Sequence, residues 1–184
     1  REGLSWCKVT SGNFSMRYIP NGFIFDVAGC TLFTDEKDMY YLLAFMNSNV
    51  NEAILKFISP TLNYEVGHIG SLPIIYNDKY IKEIQAIVKE NIELCKNEWD
   101  LYENSWNFNY NPLVKEKRKL KEIYEDYSNE KVNNFYKLKS NEVKLNKIFS
   151  EIYEVENLIE DNIDNNSISI EATDYSKDIK RLIS

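Results

Sequence analysis

Histidine is almost missing from this chain: His68 is the only one in 184 residues. Cysteine is sparse as well, with Cys7, Cys30 and Cys95 far apart and no Cys-x-x-Cys pair. A structural zinc site needs about four Cys or His ligands that can converge, and this sequence does not offer them. Three scattered cysteines also argue against a disulfide framework and fit a reducing, cytoplasmic setting. No apolar run approaches the roughly 18 residues of a membrane span, so no membrane partner is expected. The opening Arg-Glu-Gly-Leu-Ser-Trp has neither an initiator Met nor a secretory apolar core, and a piece of a longer chain is expected. With no second base, nucleophile or metal ligand in view, His68 reads as a structural residue.

What the chain does have is bulky apolar material. Apolar residues make up 43%, including 13 Tyr and 9 Phe, enough for one moderate domain or two small units. The net charge of −7 argues against nonspecific binding to a polyanion by the chain as a whole. Charge is nevertheless segregated. Residues 113–147 hold 10 basic and 6 acidic side chains, a net of +4, whereas residues 148–184 hold 3 basic and 9 acidic, a net of −6. A solvated helix face followed by a neutralising tail accounts for this pattern, and a track for a phosphate backbone is the alternative.

The pattern along the chain predicts an α+β protein. Residues 6–10, 14–19 and 22–30 are strand-like, with turn signals at Ser11-Gly12-Asn13 and Pro20-Asn21-Gly22. The third, Gly22-Phe23-Ile24-Phe25-Asp26-Val27-Ala28-Gly29-Cys30, reads as the most deeply buried, with Asp26 a hydrogen-bonded acid inside it. From Met39 to Ile58 apolar residues recur at helical spacing, with Asp38 a cap, Asn47-Ser48-Asn49 a break or second start, and Pro60 the end. Residues 61–66 suggest a strand, 67–70 a turn, and Leu72-Pro73-Ile74-Ile75 an extended exit. Helices are predicted over 78–106 and 113–160, separated at residues 107–112, with bends at Ser128-Asn129 and Ser140-Asn141. The domain expectation is a small mixed unit over 1–76, a helical spacer over 77–160, and an acidic linker with a short Asp174-capped helix over 161–184.

Two polar groups stand out. Lys8, Ser11, Asn13, Arg17 and Tyr18 cluster around the first hairpin; Arg and Asn suit base edges, Lys and Ser suit phosphates. Lys115, Lys117, Arg118, Lys119 and Lys121 form the basic run. Both groups also read simply as wet surface.

Three stretches carry a family resemblance, in matching order: residues 11–30 with Arg17-Tyr18 and Gly22-Phe23-Ile24-Phe25-Asp26; residues 43–73 with Phe45-Met46-Asn47-Ser48-Asn49-Val50 and Thr61-Leu62-Asn63-Tyr64-Glu65-Val66-Gly67-His68-Ile69-Gly70; and residues 138–153. Together they resemble the target-recognition region of large bacterial adenine-specific DNA methyltransferases of the BREX phage-defence (PglX-like) and type IIG restriction-modification kind. The resemblance implies a parent that uses S-adenosylmethionine to methylate adenine N6 in double-stranded DNA, with the target base flipped out. It raises the hairpin residues and the basic run to DNA-contact candidates. The family's Asn/Asp-Pro-Pro-Tyr/Phe motif has no match, since Asn111-Pro112-Leu113 lacks the second proline, and no glycine-rich cofactor loop is present. No catalytic, cofactor or metal residue is therefore carried over, and the chain by itself is not expected to be an enzyme. The catalytic domain is expected outside this chain, as its partner. A specificity subunit of a type I-like restriction system, and a helical protein-interaction module of a phage-defence complex, are the competing readings.

Overall fold

The computed structural model of the chain describes residues 1–114 and 119–178, and its architecture is α+β. In chain order the elements are β1 (Gly3–Cys7), β2 (Met16–Ile19), β3 (Gly29–Leu32), α1 (Glu36–Met46), α2 (Asn49–Ile58), α3 (Val66–Gly70), α4 (Asp78–Trp99) and α5 (Leu120–Ile152), with short 3₁₀ turns at Pro112–Val114 and Asn165–Ser167. They form two compact units. Unit 1 comprises Arg1–Lys89 and Glu142–Asn162; unit 2 comprises Glu90–Asn141 and the segment beginning at Ile163.

In unit 1 the three strands make an antiparallel sheet of order β2-β1-β3. Strand alternation sends Leu4, Trp6 and Met16 inward, where all three are buried, and leaves Arg17 exposed on the other face. Helix α1 is buried at Met39 and at every residue from Tyr41 to Met46, as expected of a helix inside a core. It stops at Asn47, and Ser48 opens α2 by accepting the Asn51 N–H on its Oγ at 3.2 Å. The C-terminal part of α5 completes this core. Phe149 is fully buried, with its ring 5.5 Å from Tyr41 and 5.7 Å from Phe45, and Tyr153 stacks on Phe45 at 5.4 Å.

Polar groups lock the ends together. The Asn49 N–H donates to Asn146 Oδ1 at 2.9 Å, and Ser150 Oγ, wholly buried, donates to Asp161 Oδ1 at 2.7 Å. Helix α5 ends with Glu154 in the left-handed region at φ 56°, with Val155 N–H donating to Ser150 O and Glu154 N–H to Glu151 O. That is the paired-bond helix stop usually built on glycine.

In unit 2, Phe135, Leu138, Ile168 and Ile170 form one buried cluster, and Leu113, Ile123 and Tyr127 another. A buried ion pair joins α5 to α4: Lys131 Nζ lies 2.9 Å from Glu98, with the side chains 4% and 10% exposed. Asn141 Nδ2 donates to Glu90 at 2.7 Å and to Asn91 at 2.8 Å.

Several sequence expectations are corrected. Residues 22–28 are not a buried strand: all are exposed, and β3 begins only at Gly29. Asp26 is the cause. Its Oδ1 accepts both the Ala28 and Gly29 N–H groups at 2.9 Å, a local turn that removes those donors from a ladder. Asp26 is thus structural but exposed. Residues 61–66 contribute one isolated bridge, Val9 to Asn63, and the turn expected at 67–70 is the helix α3. Asp35, not Asp38, holds the cap position of α1. Helix α4 ends at Trp99, where Asp100 accepts from Ser105 Oγ at 2.6 Å and organises the following turns. Helix α5 runs as one element through both expected bend positions, where Asn141 donates to Glu90 and Asn91 and the Ser128 hydroxyl donates to Thr173 at 3.0 Å. Asp174 does cap the helical turn at 175–178, accepting from the Ser176 and Lys177 N–H groups.

Candidate nucleic-acid interface

The hairpin β1–β2 gathers the five N-terminal candidates into one region of unit 1. Arg17 lies opposite Ser5 and Tyr18 opposite Leu4 in the ladder. Because Leu4 and Met16 face the core, Arg17 projects from the outer face, and its guanidinium donates to Met16 O at 3.3 Å. Ser11 and Asn13 sit exposed on the connecting turn, and no described side chain engages theirs. Tyr18 belongs to the half-buried side; burial pushes its hydroxyl up to about 12, and the neighbouring Glu2 carboxylate adds to the rise. Tyr18 is therefore a neutral anchor of the strand, with its hydroxyl occupied by Glu2.

Lys8 is not free. Its Nζ lies 3.1 Å from Glu65, an acid at the start of α3. Glu65 also accepts the His68 N–H, and His68 Nδ1 accepts the Glu65 N–H at 3.3 Å, a reciprocal box that starts this short helix. His68 thus has a structural function. Sequence reading missed the Glu65–His68 box, although an acid three residues before a side chain able to reach back is its signal; the Lys8–Glu65 pair has no such local signal. The same segment is fastened to β1 by Trp6 Nε1 donating to Tyr64 O at 2.9 Å and by Tyr64 N–H donating to Lys8 O at 2.7 Å. Its exit is held by two phenols: Tyr41 donates to Ile75 O at 2.7 Å and Tyr153 to Pro73 O at 2.6 Å. Residues 59–76 therefore frame the hairpin.

A second charge, Glu142 on α5, acts on this region. Burial pushes its carboxyl up to about 7, and the positive field of Arg17 opposes the rise. Sequence spacing could not have linked the two residues, which are far apart in the chain.

The basic run falls in unit 2. Lys119 and Lys121 are exposed, and Lys121 pairs loosely with Glu125 at 3.9 Å. Lys115, Lys117 and Arg118 lie outside the described residues. Among the described residues no cluster of three His, Cys, Asp or Glu side chains could hold a metal ion, and no helix is long and apolar enough to cross a membrane.

No family model matches the sequence. Adenine-specific methyltransferase PglX of Lacticaseibacillus casei (strain Zhang) is 30% identical over 191 aligned residues, which take in 100% of this chain but 16% of that protein. Adenine-specific methyltransferase BrxX of Escherichia coli O9:H4 (strain HS) is 35% identical over 155 residues, 83% of this chain and 12% of that protein. The chain thus spans less than a fifth of the length of the curated relatives it matches, and on this similarity it fits a fragment of a large adenine-specific methyltransferase.

Proposed function

We propose that this chain is a non-catalytic part of an S-adenosylmethionine-dependent DNA adenine-N6 methyltransferase serving restriction-modification or phage defence. It supplies part of the target-recognition region through residues 1–76, a helical spacer through 77–160, and an acidic linker beyond. The parent protein holds the cofactor and performs the chemistry, and double-stranded DNA reaches this chain through the parent. The observation that carries the reading is the similarity to two proteins named as adenine-specific methyltransferases over 100% and 83% of the chain. The hairpin geometry supports it: Arg17 projects from the solvent face of the sheet, and Ser11 and Asn13 are exposed on the segment that joins the two strands. Lys8, Tyr18 and the basic residues Lys115, Lys117, Arg118, Lys119 and Lys121 complete the proposed contact set. Lys8 and Tyr18 come to it already engaged by Glu65 and Glu2.

Arg17 is the member to test first. A guanidinium reaching guanine in the major groove discriminates sequence, while one bound to phosphate strengthens binding to all sequences alike. Arg17→Ala in the full-length enzyme, measured on the cognate duplex and on single-substitution duplexes, separates the two. A base contact costs about 1–3 kcal/mol at one position, and a phosphate contact weakens all duplexes by a similar factor and lowers the salt slope. Unchanged affinity and unchanged preference in a folded variant would remove Arg17 from the recognition surface.

A further inference from the structure

The two edges of the unit 1 sheet are finished differently. At the β2 edge, Asn47 takes the place of a neighbouring strand: Met16 N–H donates to Asn47 Oδ1 at 2.9 Å, and Asn47 Nδ2 donates to Met16 O at 3.0 Å. At the β3 edge no strand pairs with Gly29–Leu32 on its outer side among the described residues. Leading into that edge is a loop whose apolar side chains point outward. Ile24 is 98% exposed, Val27 79% and Phe25 58%. The loop is nonetheless shaped. Gly22 turns the chain at φ 101°, the Asp26 carboxylate fixes the last turn, and Phe25 packs edge-on against Phe33 at 5.1 Å.

We propose that this ledge, the open edge of β3 with the Ile24 loop tip above it, is the docking surface for another segment of the same methyltransferase polypeptide. The proposal rests on the reading above, in which the chain is part of a longer protein. Three observations select this occupant. The register turns Gly29 and Thr31 outward; Asp26 takes the Gly29 N–H and the Thr31 hydroxyl takes the Gly29 C=O, which leaves the Thr31 N–H and C=O for an extended polypeptide to complete, as a nucleic acid duplex does not. The adjoining surface is apolar, as at contacts between folded segments. Its charges are of the wrong sign for phosphate: residues 20–38 carry Asp26, Asp35, Glu36 and Asp38 against the single Lys37. The relative that matches the whole chain has 84% of its length outside the match, an ample source of such a segment, since the match covers 16% of it. The occupant is an extended stretch that adds a strand beside β3 and lays apolar side chains on Ile24 and Val27.

The test uses the full-length enzyme with Ile24→Cys and no DNA. Maleimide modification of that residue, read by peptide fragmentation so that Cys7, Cys30 and Cys95 are scored separately, is compared with the rate in urea. At least a tenfold slower reaction in the native enzyme, independent of protein concentration, is expected. Hydrogen exchange of the Thr31 amide, which points away from β1, should show strong DNA-independent protection in the unsubstituted enzyme, and this covers a variant that fails to fold. A native rate within twofold of the unfolded rate, with rapid exchange at the Thr31 amide, overturns the proposal. Protection that arises only on adding duplex would assign the ledge to DNA, and protection lost on dilution would assign it to a second copy; either result also overturns it. Neither readout uses DNA recognition, so failure of the ledge is distinct from failure of Arg17 as a recognition residue.

Discussion

Glu142 shows how much a single carboxyl can couple stability to pH in unit 1. Burial pushes it from 4.5 up to about 7, against the pull of Arg17. Below 4.5 the acid is protonated folded or unfolded and costs nothing. As pH rises toward 7 the unfolded chain releases the proton first, so the stability that a neutral Glu142 allows is lost. The loss is complete above 7 and amounts to at most about 3 kcal/mol. Glu142→Gln is therefore expected to match the parent sequence in urea unfolding at pH 4.5 and to exceed it at pH 8. Equal unfolding midpoints at pH 8 would show that the carboxyl is better solvated than its surroundings imply. The same link bears on recognition: Arg17→Ala removes the cation that favours ionised Glu142, so its DNA-binding assay needs a parallel measure of folding at the same pH.

At the scale of elements, Asn47 joins α1 to the sheet. It closes α1 and uses both ends of one amide on the outer edge of β2, while Nδ2 also donates to Leu43 O at 3.0 Å. Asn47→Ala is expected to cost about 1–3 kcal/mol, because Met16 is 1% exposed and water reaches its peptide groups poorly. Hydrogen exchange at the Met16 amide should accelerate along with the loss of stability, and an unaltered Met16 exchange rate would reject the edge-closing role. The helices on either side of Asn47 were legible in the sequence, since their apolar spacing and the polar Asn47-Ser48-Asn49 break are local signals. Periodicity also marked α4 and α5, though α5 covers Leu120–Ile152 within the expected 113–160; β2 falls inside the expected 14–19, whereas β1, expected at 6–10, lies at Gly3–Cys7. The exposed loop before β3 was not legible. Phe23-Ile24-Phe25 has the composition of a core strand, and only the Asp26 turn, a side-chain choice, diverts it to the surface. Helix α3 was missed because its box depends on Glu65 and His68 acting on each other's backbone groups, across a glycine that suggests a turn. Of the candidate contact residues, Arg17 lies on the solvent face that strand alternation next to buried Met16 gives it, but the engagement of Lys8 by Glu65 depends on a fold that brings residues 8 and 65 together.

For the molecule as a whole, the sequence changes character near Tyr76, yet the core of unit 1 returns to Glu142–Asn162 for its completion. Composition marks the first of these facts; the second is a tertiary choice that periodicity cannot express. Its energetic weight is large. Ile84 and Phe149 are both fully buried, and the Tyr153 ring covers Phe45. Truncating one buried aromatic costs about 3–5 kcal/mol, comparable with the whole stability of a marginal domain at about 5–15 kcal/mol. A fragment of residues 1–76 loses all three groups at once, leaving Tyr41 and Phe45 without the Phe149 ring and the Pro73–Ile75 exit without Tyr153. That fragment is expected to be unfolded, with little helical circular dichroism and a collapsed amide proton spectrum. The full 184-residue chain is expected to show dispersed signals for Leu4, Trp6 and Met16. The comparison decides where the proposed recognition portion can be cut. A dispersed, cooperatively melting spectrum from residues 1–76 alone would mean that α4 and α5 merely lean on a self-sufficient sheet-and-helix unit. An unfolded fragment would mean that the hairpin carrying Arg17 keeps its geometry only while the start of α4 and the C-terminal part of α5 are in place, so that mutations in those helices would weaken the proposed recognition without touching DNA.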